Sequence, residues 1–241
     1  MLAAYGQALA SIRVDIGPKG IGPGADVDRV LARLTSVMAA AAGVGCRLVC
    51  LDIGPLPPAP PDAGPAPRVA PELAGPILIP AMTEPVATPP QAELPADPAF
   101  VAQVDGVMHE LGRVADRHGV VLAMRSDLAG FAELDRLLRA ADCPWLGVDL
   151  DPVAVLRDAW DMDRVLSRLG TLVRHVRARD ALAGADRRTR PAPIGMGSTD
   201  WRELLADLDD GGYRGWVTVD TTELADRAGS ARSAVEYLAR L

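Results

Sequence analysis

Residues 120–125 read Val120-Val121-Leu122-Ala123-Met124-Arg125, and residues 146–151 read Leu146-Gly147-Val148-Asp149-Leu150-Asp151. Residues 172–177 read Leu172-Val173-Arg174-His175-Val176-Arg177, and residues 216–220 read Trp216-Val217-Thr218-Val219-Asp220. Within these stretches Val120–Met124, Leu146–Leu150, Leu172–Val176 and Trp216–Val219 are short, largely apolar runs with the length and composition of strands buried in a parallel sheet, where helices cover the sheet face. Between them lie segments with helical periodicity, at about 128–140, about 153–169, from an Asp200 N-cap to about 209, and at about 226–240. Strand and helix alternate with short turns, so the chain is α/β, and right-handed crossovers leave a barrel or a doubly wound sheet.

Upstream the same grammar continues. Asp97-Pro98 is an N-cap followed by proline at the first helical position, which predicts a helix over 99–117 that ends at His118-Gly119. Residues 11–16 alternate with period two and stop at Gly17, so they read as a strand. A glycine- and proline-rich loop follows over 17–24, then a helix capped by Asp26 and running to about 43, then a strand over 48–53. Residues 55–98 hold fifteen of the chain's 21 prolines, a composition that excludes regular helix or central strand. That segment is either a linker or a lid over a barrel mouth, and 76–80 is apolar enough to dock. The organisation is a single domain over 1–241 with a Pro-rich insertion at about 55–98 and six recognisable parallel strands.

Composition removes several function classes. With 241 residues, 49% of them hydrophobic, the chain can bury one sizeable core. It has no apolar run of about eighteen residues, so no membrane span is expected. Cys46 and Cys50 on one strand would sit about 13 Å apart, too far for a disulfide. Three unpaired thiols and no charged-then-apolar leader point to the cytoplasm. The formal charge is −7, and one small cluster (Arg174, Arg177, Arg179, Arg187, Arg188, Arg190) is a narrower basic footprint than nucleic acid needs. Lys19 is the only lysine, which leaves little scope for Schiff-base chemistry.

The motifs choose between barrel and open sheet. Gly147–Asp151, His175–Asp180, Pro193-Ile194-Gly195-Met196-Gly197-Ser198-Thr199-Asp200-Trp201 and Gly212–Asp220 occur in that order. The series resembles the last three β/α units of the xylose-isomerase-like sugar phosphate isomerase/epimerase family, over about 119–241. The similarity of 12–53 is looser and corresponds to the third and fourth strands. The resemblance therefore implies a TIM-type (β/α) barrel without its first two β/α units. The two edges left open would be covered by the Pro-rich segment or by a second subunit in a homo-oligomer.

In that family Glu, Asp, His and Glu at the C-terminal ends of the last four strands hold a divalent metal. The resemblance places these positions on Arg125, Asp151, Arg177 and Asp220, and a second histidine on Ala154. Guanidinium has no lone pair to give a metal. The expectation is therefore a vestigial metal site in which Arg125 and Arg177 replace the cation's charge beside Asp151 and Asp220. No cofactor is expected, with a weakly held Mn, Mg or Zn left open.

Two functions follow. One is a sugar or sugar-phosphate isomerase/epimerase with altered metal chemistry, in which Asp151 or Asp220 acts as base and Arg125 or Arg177 stabilises an enediolate. The other is a non-catalytic barrel that binds a carbohydrate-like anion or a protein partner. Gly195 and Gly197 either cradle an anion, with Arg188 nearby, or make a tight turn before the Asp200 cap. Lys19 is in reach of a phosphate. His175 is read as a structural histidine pointing toward the helices, and Trp201, Trp216 and Tyr237 as packing residues.

Overall fold

The computed structural model describes residues 6–57, 97–125, 131–157, 160–184 and 188–241. In chain order these form β1 (Ile12–Val14), α1 (Val27–Gly43), β2 (Leu48–Asp52), α2 (Pro98–His118), β3 (Val121–Arg125) and α3 (Phe131–Ala141). Next come β4 (Leu146–Leu150), α4 (Pro152–Arg157), α5 (Met162–Leu169), a 3-10 turn at Gly170–Leu172, β5 (Val173–Ala178), β6 (Asp180–Ala183) and β7 (Thr189–Ala192). The chain closes with α6 (Trp201–Asp210), β8 (Trp216–Val219) and α7 (Arg227–Leu238).

Six strands form one parallel sheet in the order β1-β2-β3-β4-β5-β8, curled into a partial barrel, and β6 pairs with β7 as a separate antiparallel hairpin. Side-chain alternation divides the sheet into two faces. Val49, Leu51, Leu122, Met124, Leu146, Val148, Leu150 and Val176 belong to the large core beneath the helices. Leu48, Cys50 and Ala123 form a small cluster of their own on the inner face. Parallel register lines up Arg13, Cys50, Ala123 and Gly147 on that inner face, and one step toward the mouth it lines up Asp52 with Arg125. Among the described residues no helix is long and apolar enough to cross a membrane.

Local signals explain the helix ends. Asp26, Asp97, Asp161, Asp200 and Asp226 each accept a backbone N–H in the first turn of the following helix. Gly119 ends α2 in the left-handed conformation. The predicted helix over 153–169 is instead two helices, because Asp161 caps a new start at Met162. The β6–β7 hairpin has no counterpart in the sequence reading. The proline-rich stretch lies outside the described residues over 58–96, and with it both readings of that segment and the docking of 76–80.

One packing expectation changes. Trp201 is buried, but Trp216 is 50% exposed, on β8, which among the described residues has a strand neighbour on one side only. The loop at 17–24 packs onto the body: Ile21 is fully buried and donates its backbone N–H to Ile53 O at 2.9 Å.

The largest correction concerns Gly195 and Gly197. Their N–H groups do meet an anion, and it is the chain's own Asp180. Asp180 Oδ2 accepts from Gly195 N (3.0 Å), Gly197 N (3.1 Å) and Trp201 Nε1 (3.2 Å). Its Oδ1 accepts from Ala181 N (2.9 Å) and Thr199 N (3.3 Å). These donors serve a buried carboxylate that ties the hairpin to α6, so they do not serve a substrate. A Cβ on Gly197 would lie 2.1 Å from Asp180 Oδ1, and one on Gly195, whose φ is +82°, 2.7 Å from the Tyr237 ring. Gly197→Ala is therefore expected to cost about 2–4 kcal/mol in urea unfolding, by breaking a buried hydrogen-bond network. Gly43→Ala, whose added Cβ meets nothing within 4 Å inside α1, is the control and should be neutral or stabilising by up to about 1 kcal/mol.

Candidate functional site

The mouth is built where strands end. Arg125 is the last residue of β3, Asp151 follows β4, Arg177 lies near the end of β5 and Asp220 follows β8. The structure brings these four together. Arg125 Nη1 donates to Asp151 Oδ2 at 2.6 Å, and Arg177 Nε donates to Asp220 Oδ2 at 2.5 Å. Arg177 Nη1 also stands 3.7 Å from Asp151 Oδ2. Asp151 serves two purposes at once, since its Oδ1 accepts from Val153 N at 3.1 Å at the start of α4.

Three further residues complete the cluster. Arg179 donates from Nε to both oxygens of Asp151, at 2.9 and 2.8 Å, and from Nη1 to Glu223 Oε1 at 3.1 Å. Asp52, at the end of β2, lies 3.5 Å from Arg125 Nη2. Sequence reasoning placed Arg179 only in a basic cluster, although its spacing two residues beyond Arg177 was a usable signal. The side chain of Asp151 is fully buried, and its oxygens contact Arg125, Arg177 and Arg179.

Electrostatics keep both acids ionised. Burial alone would raise the Asp151 carboxyl, but the hydrogen bonds and charge of Arg179, then of Arg125, hold it below the usual carboxylate range. Burial opposes ionisation of Asp220 as well. It is outweighed by the Thr222 N–H and hydroxyl and by Arg177, which bring Asp220 down to about 2. Arg177 is lowered by burial first and then by Arg125 and Arg13.

Beneath the mouth lies a second, inner layer that sequence reasoning missed. His175 does not point toward the helices: it is two residues before Arg177, so it shares that residue's inner face. Its Nδ1 is 2.6 Å from Asp149 Oδ1 and its Nε2 2.8 Å from Thr218 Oγ1. Arg13 Nη2 donates to Asp149 Oδ2 at 2.8 Å. Cys50 stands beside them, its thiol pushed up to about 12 by burial and then by the Asp149 charge. Among the described residues, Cys50, Asp149 and His175 form the group whose ligand atoms, all within 4.8 Å of one another, could hold a metal ion.

The candidate substrate-binding residues do not converge on the mouth. Lys19 donates to Gly24 O at 3.1 Å and lines a cavity of about 470 Å³ with Asp15, Arg29 and Arg33, which contains none of the four mouth residues. Arg188 is exposed beside the β6–β7 hairpin. Gly195 and Gly197 are committed to Asp180. Ala154 is buried in α4 and presents no imidazole.

Known structures share this architecture. A xylose isomerase domain protein from Planctomyces limnophilus superposes with a TM-score of 0.73 at 18% identity, covering 99% of this chain and 78% of that one. The 3-keto-D-glucoside 4-epimerase of E. coli gives 0.67 at 18% identity, covering 100% and 82%. A xylose isomerase-like TIM barrel protein from Mycobacterium smegmatis, in complex with magnesium, gives 0.67 at 16% identity, covering 99% and 74%. No functionally curated protein matches the chain by sequence. The family described as xylose isomerase-like TIM barrel matches residues 1–241, and the chain belongs to that family.

Proposed function

We propose that this chain is a sugar isomerase/epimerase-type barrel whose mouth has exchanged a divalent cation for arginines, and that it binds a carbohydrate-like ligand there. The observation that carries this reading is the saturation of Asp151. Its two oxygens accept from Arg125, Arg179 and Val153 N, where a metal would need a free lone pair. The mouth residues therefore do not fit a divalent ion. A polyhydroxylated ligand suits the same groups, since carboxylates accept from hydroxyls and guanidinium forks donate to them. The keto-glucoside epimerase among the structural neighbours supports a carbohydrate-like ligand class.

Binding is favoured over turnover. A general base works best with a pKa near the operating pH, and Asp220 sits at about 2 while Asp151 is also lowered. The same network that keeps these acids charged makes them weak bases. The arginines at the mouth are offset by Asp52, Asp151, Asp220 and Glu223, which argues against a nucleic-acid surface. Three free thiols fit a reducing, cytoplasmic setting, and a second copy could cover the edges of β1 and β8 that no strand pairs among the described residues.

Mn2+ binding followed by the loss of the free-ion EPR signal tests the exchange. The wild-type protein is expected to leave the signal intact, and Arg125→Glu/Arg177→His to deplete it by restoring carboxylate and imidazole ligands. Stoichiometric depletion by the wild type that persists in Cys50→Ser, which removes a ligand from the inner group, would overturn the reading. Acid stability gives a second check. The folded pKa of Asp220 lies below its ordinary value of 3.8, so its contribution is present above about pH 4 and is lost as pH falls toward about 2. Asp220→Asn is expected to flatten the dependence of unfolding free energy on pH in that window and to leave the slope near neutrality unchanged.

A further inference from the structure

We propose that Cys50, Asp149 and His175 form an inner metal site below the mouth that takes a borderline-soft divalent cation of the Zn2+ type. The three groups come from β2, β4 and β5 and meet on the inner face, buried, with one ligand atom each within 4.8 Å of the others. Sulfur, nitrogen and oxygen donors in this number make the open three-ligand zinc set, which leaves a fourth position for water or a ligand. Thiolate disfavours Mg2+ and Ca2+, so the site differs in kind from a mouth site of carboxylates and histidine.

The surroundings already supply what the ligands of such a site require. Arg13 donates to Asp149 Oδ2, which leaves Oδ1 to coordinate. His175 has Thr218 Oγ1 at its far nitrogen, and a hydroxyl can either donate or accept. In the metal-free protein Nδ1 pairs with Asp149 Oδ1 and Nε2 with Thr218 Oγ1. With metal on Nδ1, the imidazole holds its one proton on Nε2 and donates it to the Thr218 oxygen. The Cys50 thiol gives up its proton to solvent as the sulfur binds the ion. The cation supplies the positive charge that the Cys50 thiolate lacks beside Asp149. His175 Nδ1 and Asp149 Oδ1, now 2.6 Å apart, must open to roughly 3.3 Å for tetrahedral coordination at normal bond lengths. Entry is beside Arg13, which is exposed, and Thr218, which is half-buried, on the edge strands β1 and β8, whose outer sides no strand pairs among the described residues.

Anaerobic Co2+ titration of the full chain tests the site through thiolate-to-cobalt charge transfer in the near-ultraviolet, a signal that a carboxylate mouth cannot produce. The band is expected to appear stoichiometrically, to be bleached by Zn2+ and to be absent from Cys50→Ser. Cys46→Ser/Cys143→Ser, which leaves Cys50 as the only thiol, is expected to keep it, so the test stands even if Cys50→Ser does not fold. A folded protein without the band, or a band that is lost from Cys46→Ser/Cys143→Ser, would overturn the proposal.

Discussion

The buried carboxylate of Asp151 is the constraint on which the mouth depends. A fully buried acid is costly unless charge and hydrogen bonds compensate it, and here guanidinium groups from β3 and from the end of β5 converge on one side chain. The same carboxylate starts α4 through Val153 N. Strand ends, a helix start and three arginines are therefore tied to one group. Asp220 repeats the arrangement at smaller scale, with Arg177 on one oxygen and Thr222 on the other. This resembles the charge balance around a bound cation, with fixed guanidinium groups in place of a removable ion.

Beneath this ion-pair layer the barrel interior continues to be polar. Arg13, Asp149, His175 and Thr218 form a hydrogen-bonded chain from one edge strand to the other, with Cys50 beside it. A complete TIM barrel normally fills these positions with layers of branched apolar side chains. Here the apolar part of the interior shrinks to Leu48, Cys50, Ala123 and Val121. Arg13 is exposed and Thr218 half-buried, so the two ends of this chain reach solvent, which lowers the cost of polar residues at these positions.

Much of the fold was legible because it depends on periodicity and caps. The six parallel strands and the Asp26, Asp97 and Asp200 caps follow from those signals, whereas Arg125, Asp151, Arg177 and Asp220 were singled out through the family resemblance, as residues where strand ends meet at one mouth. The errors have physical causes. His175 was assigned to the wrong face because period two places it with Arg177, two residues on, and not opposite it. Arg179 obeyed the same rule and was passed over. The Gly195/Gly197 loop carries an anion-binding pattern, but sequence spacing does not reveal that the anion is Asp180, fifteen residues upstream of Gly195. The β6–β7 hairpin is short and includes Pro191, so it lacks a strand signature.

The account stands on the claim that arginine and aspartate at the mouth are energetically coupled as a substitute for a cation. A double-mutant cycle in unfolding free energy between Arg125→Met and Asp151→Asn measures that coupling, and asparagine retains an acceptor for Val153 N. A favourable coupling of about 1–3 kcal/mol is the predicted result, and a value within about 0.3 kcal/mol of zero would contradict it.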